Sequence, residues 1–117
     1  MILDPSKKED LEQIKSAIRE DSDDDLGVKS AALAAVAYIK GAIGNKKPSF
    51  YQQDNDHIHK INLAIKLLTD HYYHAGSATV ESQNANGTLR EYDLGFTSII
   101  LQLKAAYLQF EEDDSDD

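Results

Sequence analysis

The chain has no cysteine and no tryptophan, and its 117 residues include only two prolines. The lack of cysteine excludes disulfides, thiolate metal sites and a thiol nucleophile, and it fits a reducing compartment. Long apolar runs are scarce as well. The longest, "AALAAVAYI" at 31–39, is well short of the roughly 20 residues that span a bilayer. No basic stretch followed by an apolar one opens the chain, so no export signal is expected. The expectation is a soluble intracellular protein without membrane contact.

Clustered positive charge is also missing. The formal net charge is −9, and eleven carboxylates lie in two short runs: Glu20, Asp21, Asp23, Asp24 and Asp25, then Glu111, Glu112, Asp113, Asp114, Asp116 and Asp117. Without those two runs the body carries +2. A groove that tracks phosphates needs clustered Lys and Arg, so specific nucleic-acid binding is not expected. A hydrophobic fraction of 41% and a charged fraction of 28% suit one folded domain. We assign residues 1–110 to that domain and 111–117 to an acidic, disordered C-terminal tail.

Helical periodicity dominates what is present. Ser6 and Glu9, after Pro5, form a capping box, and Leu11, Ile14 and Ile18 follow at helical spacing, predicting a first helix from about 7 to 20. Ser22 or Asp23 can cap a second helix, which ends near "GNKKP", where Gly44 and Pro48 stop it. Its predicted face is Ala32, Val36, Ile39 and Ile43, with Leu33, Ala37 and Tyr38 to the side. A third helix starts near Asp54 to Asp56, carries Ile58, Ile61, Ile65, Leu68 and Tyr72 in one stripe, and ends near His74.

Between 75 and 94 the pattern weakens. "SATVESQ" and "TLREYDL" flank Asn86-Gly87, a strong turn signal, so a long loop carrying a β-hairpin is expected here. The last helix is expected from about 95 to 110. Phe96, Ile99, Ile100, Leu103, Tyr107 and Phe110 form its main stripe, and Leu101, Ala105 and Leu108 form a second apolar line. One line can face the core and the other a partner. The predicted fold class is mostly α: a small four-helix domain with a long loop between the third and fourth helices.

Candidate chemistry is thin. His71 and His74, with Asp70 beside them, have a spacing that a metal could use. A zinc site also needs a third ligand and supporting groups, and neither H-E-x-x-H nor Glu-x-x-His occurs. Histidines near a helix C-terminus, where the dipole favours a cation, explain the pair more simply. Asp21, Asp23 and Asp25 open like a calcium loop, but Leu26 and Ala32 stand where Gly and Glu are required. No phosphate loop, dinucleotide fingerprint or nucleophile elbow is present. No enzyme, no cofactor and no metal are expected.

The order of segments carries a resemblance. An acidic loop leads into "AAVAYIKGAIG", then "HKINLAIKLLTDHYYHAG", a polar loop, and "LGFTSIILQLKAAYL". Over about residues 9 to 108 this resembles the tailed-bacteriophage head-tail connector (adaptor) family, also labelled DNA-packaging proteins with a Gln-Leu-Arg-Gly motif. His71, Tyr72 and Tyr73, and Gln102-Leu103, are its most specific residues. The chain departs from the family pattern at His74, Ala75 and Gly76, and Lys104 stands where the motif has Arg. A bidentate pairing through that arginine therefore does not carry over, because an ammonium lacks the guanidinium fork.

The resemblance implies a structural virion protein at the neck, assembled in the host cytoplasm. It would form a ring of about a dozen subunits between the portal protein and a tail-side stopper or tail-completion protein. DNA would pass through the channel without specific binding. On that reading Tyr73, Arg90, Tyr92, Leu101 and Leu108 are candidates for the contact between subunits, and Gln102, Lys104, Gln109 and Phe110 for contact with the portal. The alternative is a small acidic helical protein that mimics nucleic-acid charge for a basic partner. That reading predicts acidity spread along one face, whereas here it is concentrated in two short runs.

Overall fold

A computed structural model of the chain describes residues 1–18, 24–54, 56–75 and 86–111, the side chains of 75 and 86–94 excepted. It holds α1 (Lys8–Ala17), α2 (Asp25–Ile43), a 3₁₀ turn (Pro48–Tyr51), α3 (Asp56–Ala75) and α4 (Asn86–Gln109). Among the described residues the domain is mostly helical with four α-helices, as the periodicity indicated.

Helix α1 buries Leu11 and Ile14, with Ile18 just beyond its end, so the predicted stripe is the one that packs. Its start is built differently from the expected capping box. The N-cap is Lys7, which makes no side-chain capping bond. Asp4 organises the entry instead: its Oδ1 accepts from the Ser6 amide at 2.9 Å and its carbonyl from the Lys7 amide at 2.9 Å. The Asp10 carboxylate in turn accepts from the Asp4 amide at 2.8 Å. The segment before α1 is itself pinned down. The Met1 amine donates to the Gln53 carbonyl, the Ile2 amide to the Tyr51 carbonyl and the Leu3 amide to Asn62 Oδ1, which draws Ile2 and Leu3 into the core.

Helix α2 opens at Asp24, whose Oδ1 accepts from the Gly27 amide at 3.1 Å. The expected caps, Ser22 and Asp23, lie outside the described residues. The whole helix, unlike the run at 31–39, is long and apolar enough to cross a membrane by length and composition. Here it is the central helix of the domain, packed against α1, α3 and α4. Val28, Ala32, Ala35, Ile39 and Ile43 face inward, and the small side chains among them let neighbouring helices approach closely.

In α3 the predicted stripe of Ile58, Ile61, Ile65 and Leu68 is buried, and Tyr72 packs at its margin. Thr69 is buried too, and its hydroxyl makes no hydrogen bond. An unpaired buried hydroxyl costs about 1–3 kcal/mol, so Thr69→Val should raise stability by up to about 1 kcal/mol in urea unfolding.

The largest departure from expectation is α4. Asn86-Gly87 opens this helix rather than turning a hairpin, and "TLREYDL" at 88–94 is helical, not a strand. The other predicted arm, at 77–83, lies outside the described residues, and no strand occurs among the described ones. The competing signal was present: Leu89, Tyr92 and Phe96 are spaced by three and four, and so extend the stripe of Phe96, Ile100, Leu103 and Tyr107 backwards.

Helices α2 and α4 run in the same direction, and α3 runs against them. Tyr38 lies 6.1 Å from Phe96, ring to ring, while further along both helices Lys46, just past α2, donates its amide to the Tyr107 hydroxyl at 2.7 Å. At the opposite end the Tyr73 hydroxyl, near the end of α3, donates to Asp24 Oδ2 at the start of α2, at 2.8 Å.

The turn after α2 demands a glycine. Gly44 has φ 148° and ψ 148°, a region open essentially to glycine, and a Cβ there would collide with the Tyr107 ring. A Cβ on Gly41, one turn earlier, would meet nothing within 4 Å. Gly44→Ala should therefore cost about 3 kcal/mol or more. Gly41→Ala should stabilise by about 0.5–1 kcal/mol. Urea unfolding of the two variants checks the contrast.

Candidate subunit interface

The buried end of the domain fixes how α4 is presented. Phe50, fully buried in the 3₁₀ turn, has the rings of Tyr51, His57, Tyr107 and Phe110 around it at 5.4, 5.7, 5.3 and 5.5 Å. Lys47 reaches over the Tyr107 ring, 4.9 Å from its centre. Its ammonium donates to the carbonyls of Tyr107 and Phe110 at 2.9 Å each, and to that of Leu108 at 3.5 Å. A cation on the carbonyls at a helix C-terminus complements the dipole, worth about 1 kcal/mol; the Tyr107 carbonyl also accepts from the Phe110 amide at 3.1 Å.

With one side of α4 fixed inward in this way, the other is exposed. Phe96, Ile100, Leu103 and Tyr107 are buried, whereas Leu101 and Leu108 are 62% and 68% exposed, with Ala105 exposed between them. The two leucines stand seven residues apart, roughly 10 Å along the helix. The second apolar line anticipated from the sequence is therefore unused by the domain's own core.

The other candidate residues divide between faces. Tyr73 is half-buried and tied to Asp24 within the subunit. Arg90 and Tyr92 fall in the first turns of α4 rather than in a loop. Gln102 and Gln109 share a flank of α4, where Gln102 accepts from the Lys60 ammonium of α3 at 3.3 Å. Lys104 is exposed on the other flank, and the Phe110 ring packs on Phe50. Gln102, Lys104, Gln109 and Phe110 therefore do not form a single surface.

Sequence reasoning did not single out a second exposed face, on α2. Leu26 is 81% exposed and Leu33 44%. Their seven-residue spacing, outside the Ala32, Ile39 and Ile43 stripe, was the available signal. The opposite flank of α2 is the one that meets α4, through Tyr38 and Phe96.

At the end of α3, His74 pairs with Asp70 at 3.1 Å on the surface, a contact of one helical turn. Among the described residues no group of three or more His, Asp or Glu side chains converges as metal ligands would. Comparison with protein-family models, curated proteins and solved structures finds no match for this chain.

Tyr51 and Tyr72 are perturbed. Burial, and secondarily the neighbouring Tyr107, push the Tyr51 phenol up to about 12, and its hydroxyl donates to the Gly44 carbonyl at 2.6 Å. Burial, with Tyr38 nearby, also raises Tyr72. A phenol whose folded pKa lies above its unfolded value contributes stability that is intact below pH 10 and is lost as pH rises towards 12. Stability measured across that window should fall in the parent chain, and Tyr51→Phe should remove part of the slope.

Proposed function

We propose that this chain is a structural subunit of a tailed-bacteriophage neck, a head-tail connector that assembles into a ring beneath the portal. The observation that carries the reading is the apolar line Leu101, Ala105 and Leu108, held outward on a helix whose other side closes the core. Exposed apolar lines of this kind mark interaction surfaces. The order of the acidic loop, the alanine-rich helix, the "HYY" helix end and the "ILQLKAAYL" helix adds the family resemblance.

The mechanism is assembly without catalysis. A subunit with two different sticky faces joins head to tail, and a fixed rotation between neighbours closes the chain of subunits on itself. The near-neutral body and the segregated acidic runs suit a channel wall along which DNA slides without being held. Portal and tail-side proteins would dock on the two rims of such a ring.

Native mass spectrometry and negative-stain imaging of the purified chain, at high concentration and mixed with its portal protein, test this. Closed rings of about a dozen subunits, alone or on the portal, are expected. Leu108→Asp should abolish them while changing monomer stability by less than about 0.5 kcal/mol. A chain that stays monomeric and binds no portal contradicts the proposal.

A further inference from the structure

We infer that the α4 line of one subunit packs on the outer side of α3 and the N-terminal segment of the next, with Leu101 against Leu63, Leu108 beside Met1, and Lys104 within reach of Asp56. This rests on the connector reading and names the two surfaces that its ring joint brings together. Rotation about an axis along the helices keeps every residue at its own level, so the surfaces it joins must already stand level within one subunit. Contacts between the helices set those levels. The Lys60 ammonium meets Gln102 at 3.3 Å. Because α3 runs against α4, Leu63 then stands within about 3 Å of the level of Leu101, at 1.5 Å per residue. Phe50 has both His57 and Tyr107 beside it, and the Met1 amine is bound to the Gln53 carbonyl, which places Met1 near the level of Leu108. The Leu26–Leu33 face is excluded from this joint. With Tyr38 beside Phe96, it lies roughly 20–25 Å from the level of the α4 line.

The two surfaces also lie on different sides of the subunit. Lys60 and Asn62 are about 160° apart around α3; one turns to α4, and the other accepts from the Leu3 amide. The N-terminal segment and α4 therefore occupy opposite flanks of α3. Leu63 is exposed on the outer side between them, and Met1 is exposed at the end of the N-terminal segment. On α4, Leu101 and Leu108 stand about 100–120° around from Gln102, away from α3. A head-to-tail joint needs two unlike surfaces, and these supply them.

Charge selects the same pairing. Lys104 is the only charged residue between 97 and 109, and it is exposed. Asp56, also exposed, precedes Leu63 by seven residues and so shares its side of α3. It stands about one helical turn from the level of Lys104, within a lysine's reach. Lys60 falls on the opposite flank of the contact and is turned to Gln102 of its own subunit. A two-fold contact of α4 with its own copy would instead set Lys104 against Lys104, with no acid to meet either. A contact centred on two apolar side chains from each subunit falls short of the roughly 800 Å² per partner that a stable pairwise interface buries. Such a joint persists where each subunit is held on both sides, in a closed ring rather than a free dimer.

The absence of native cysteine allows a direct test. Mild oxidation of the Leu63→Cys/Leu101→Cys double variant, at high concentration and mixed with a portal protein, should give a covalent ladder of oligomers. Asp56→Cys/Leu108→Cys should give a second. Leu33→Cys/Leu101→Cys should give none, and Leu101→Cys alone should give no dimers. In native mass spectrometry Lys104→Asp should lose the rings, and adding Asp56→Lys should restore them. A ladder from the Leu33 pair, dimers from Leu101→Cys alone, or rings that the charge swap does not restore overturn the inference. Rings of the parent chain without a ladder from either α3–α4 pair also overturn it and leave the connector reading standing. No assembly under any condition, with the portal included, overturns both.

Discussion

The arrangement depends on one joint, where the loop after α2 grips the end of α4. Gly44 makes room for the Tyr107 ring, the Lys46 amide holds the Tyr107 hydroxyl, and the Lys47 ammonium caps the carbonyls of Tyr107 and Phe110. Sixty residues of chain separate the two sides of this joint, so it closes the domain as well as capping a helix. Phe50 sits behind it and brings the 3₁₀ turn, α3 through His57, and α4 into one aromatic cluster. The Met1 amine and the Ile2 amide are bound to carbonyls at the far edge of the same turn.

Because the joint fixes the rotation of α4 about its own axis, it decides which residues of that helix the domain consumes. Tyr107 and Leu103 go inward, and the line of Leu101, Ala105 and Leu108 is left outward. It also sets α2 and α4 side by side and pointing the same way, which leaves Leu26 and Leu33 on a separate face. The functional reading thus follows from packing: two apolar faces that the core does not need, on a body whose charge is nearly balanced once two acidic runs are set aside.

The stripes that fill the core were legible from spacing alone. Ile58, Ile61, Ile65 and Leu68, and likewise Leu11, Ile14 and Ile18, repeat at intervals that admit only a helical face, and each is buried. The hairpin expectation gave too much weight to a dipeptide. Asn86-Gly87 favours a tight turn locally, but the apolar period running on from Phe96 through Tyr92 to Leu89 extends the helix past it. The cap of α1 was misread because Asp4 takes the Ser6 amide that Glu9 would bind in a Ser6–Glu9 box, and Asp10 in turn holds the Asp4 amide. The Lys47 grip had no signature in the chain, since nothing local ties a lysine in a loop to carbonyls sixty residues away. At the candidate interface, the exposure of Leu101 and Leu108 could be read from the line they form beside the main stripe. That Phe110 turns inward and Tyr73 binds Asp24 depended on tertiary neighbours.

The histidines of "DHYYHAG" show how the same spacing argument can point to chemistry that the fold does not assemble: His74 turns to Asp70 one turn back, and no third ligand approaches among the described residues. The central claim is that α4 is rigidly held by its inner side so that its outer side can join subunits. Cryo-electron microscopy of the chain mixed with a portal protein tests this most directly. The account predicts a closed ring in which Leu101 and Leu108 are buried between neighbours while Lys47 still caps Tyr107 and Phe110. A ring with the outer face of α4 open to solvent, or with that cap broken, would contradict it.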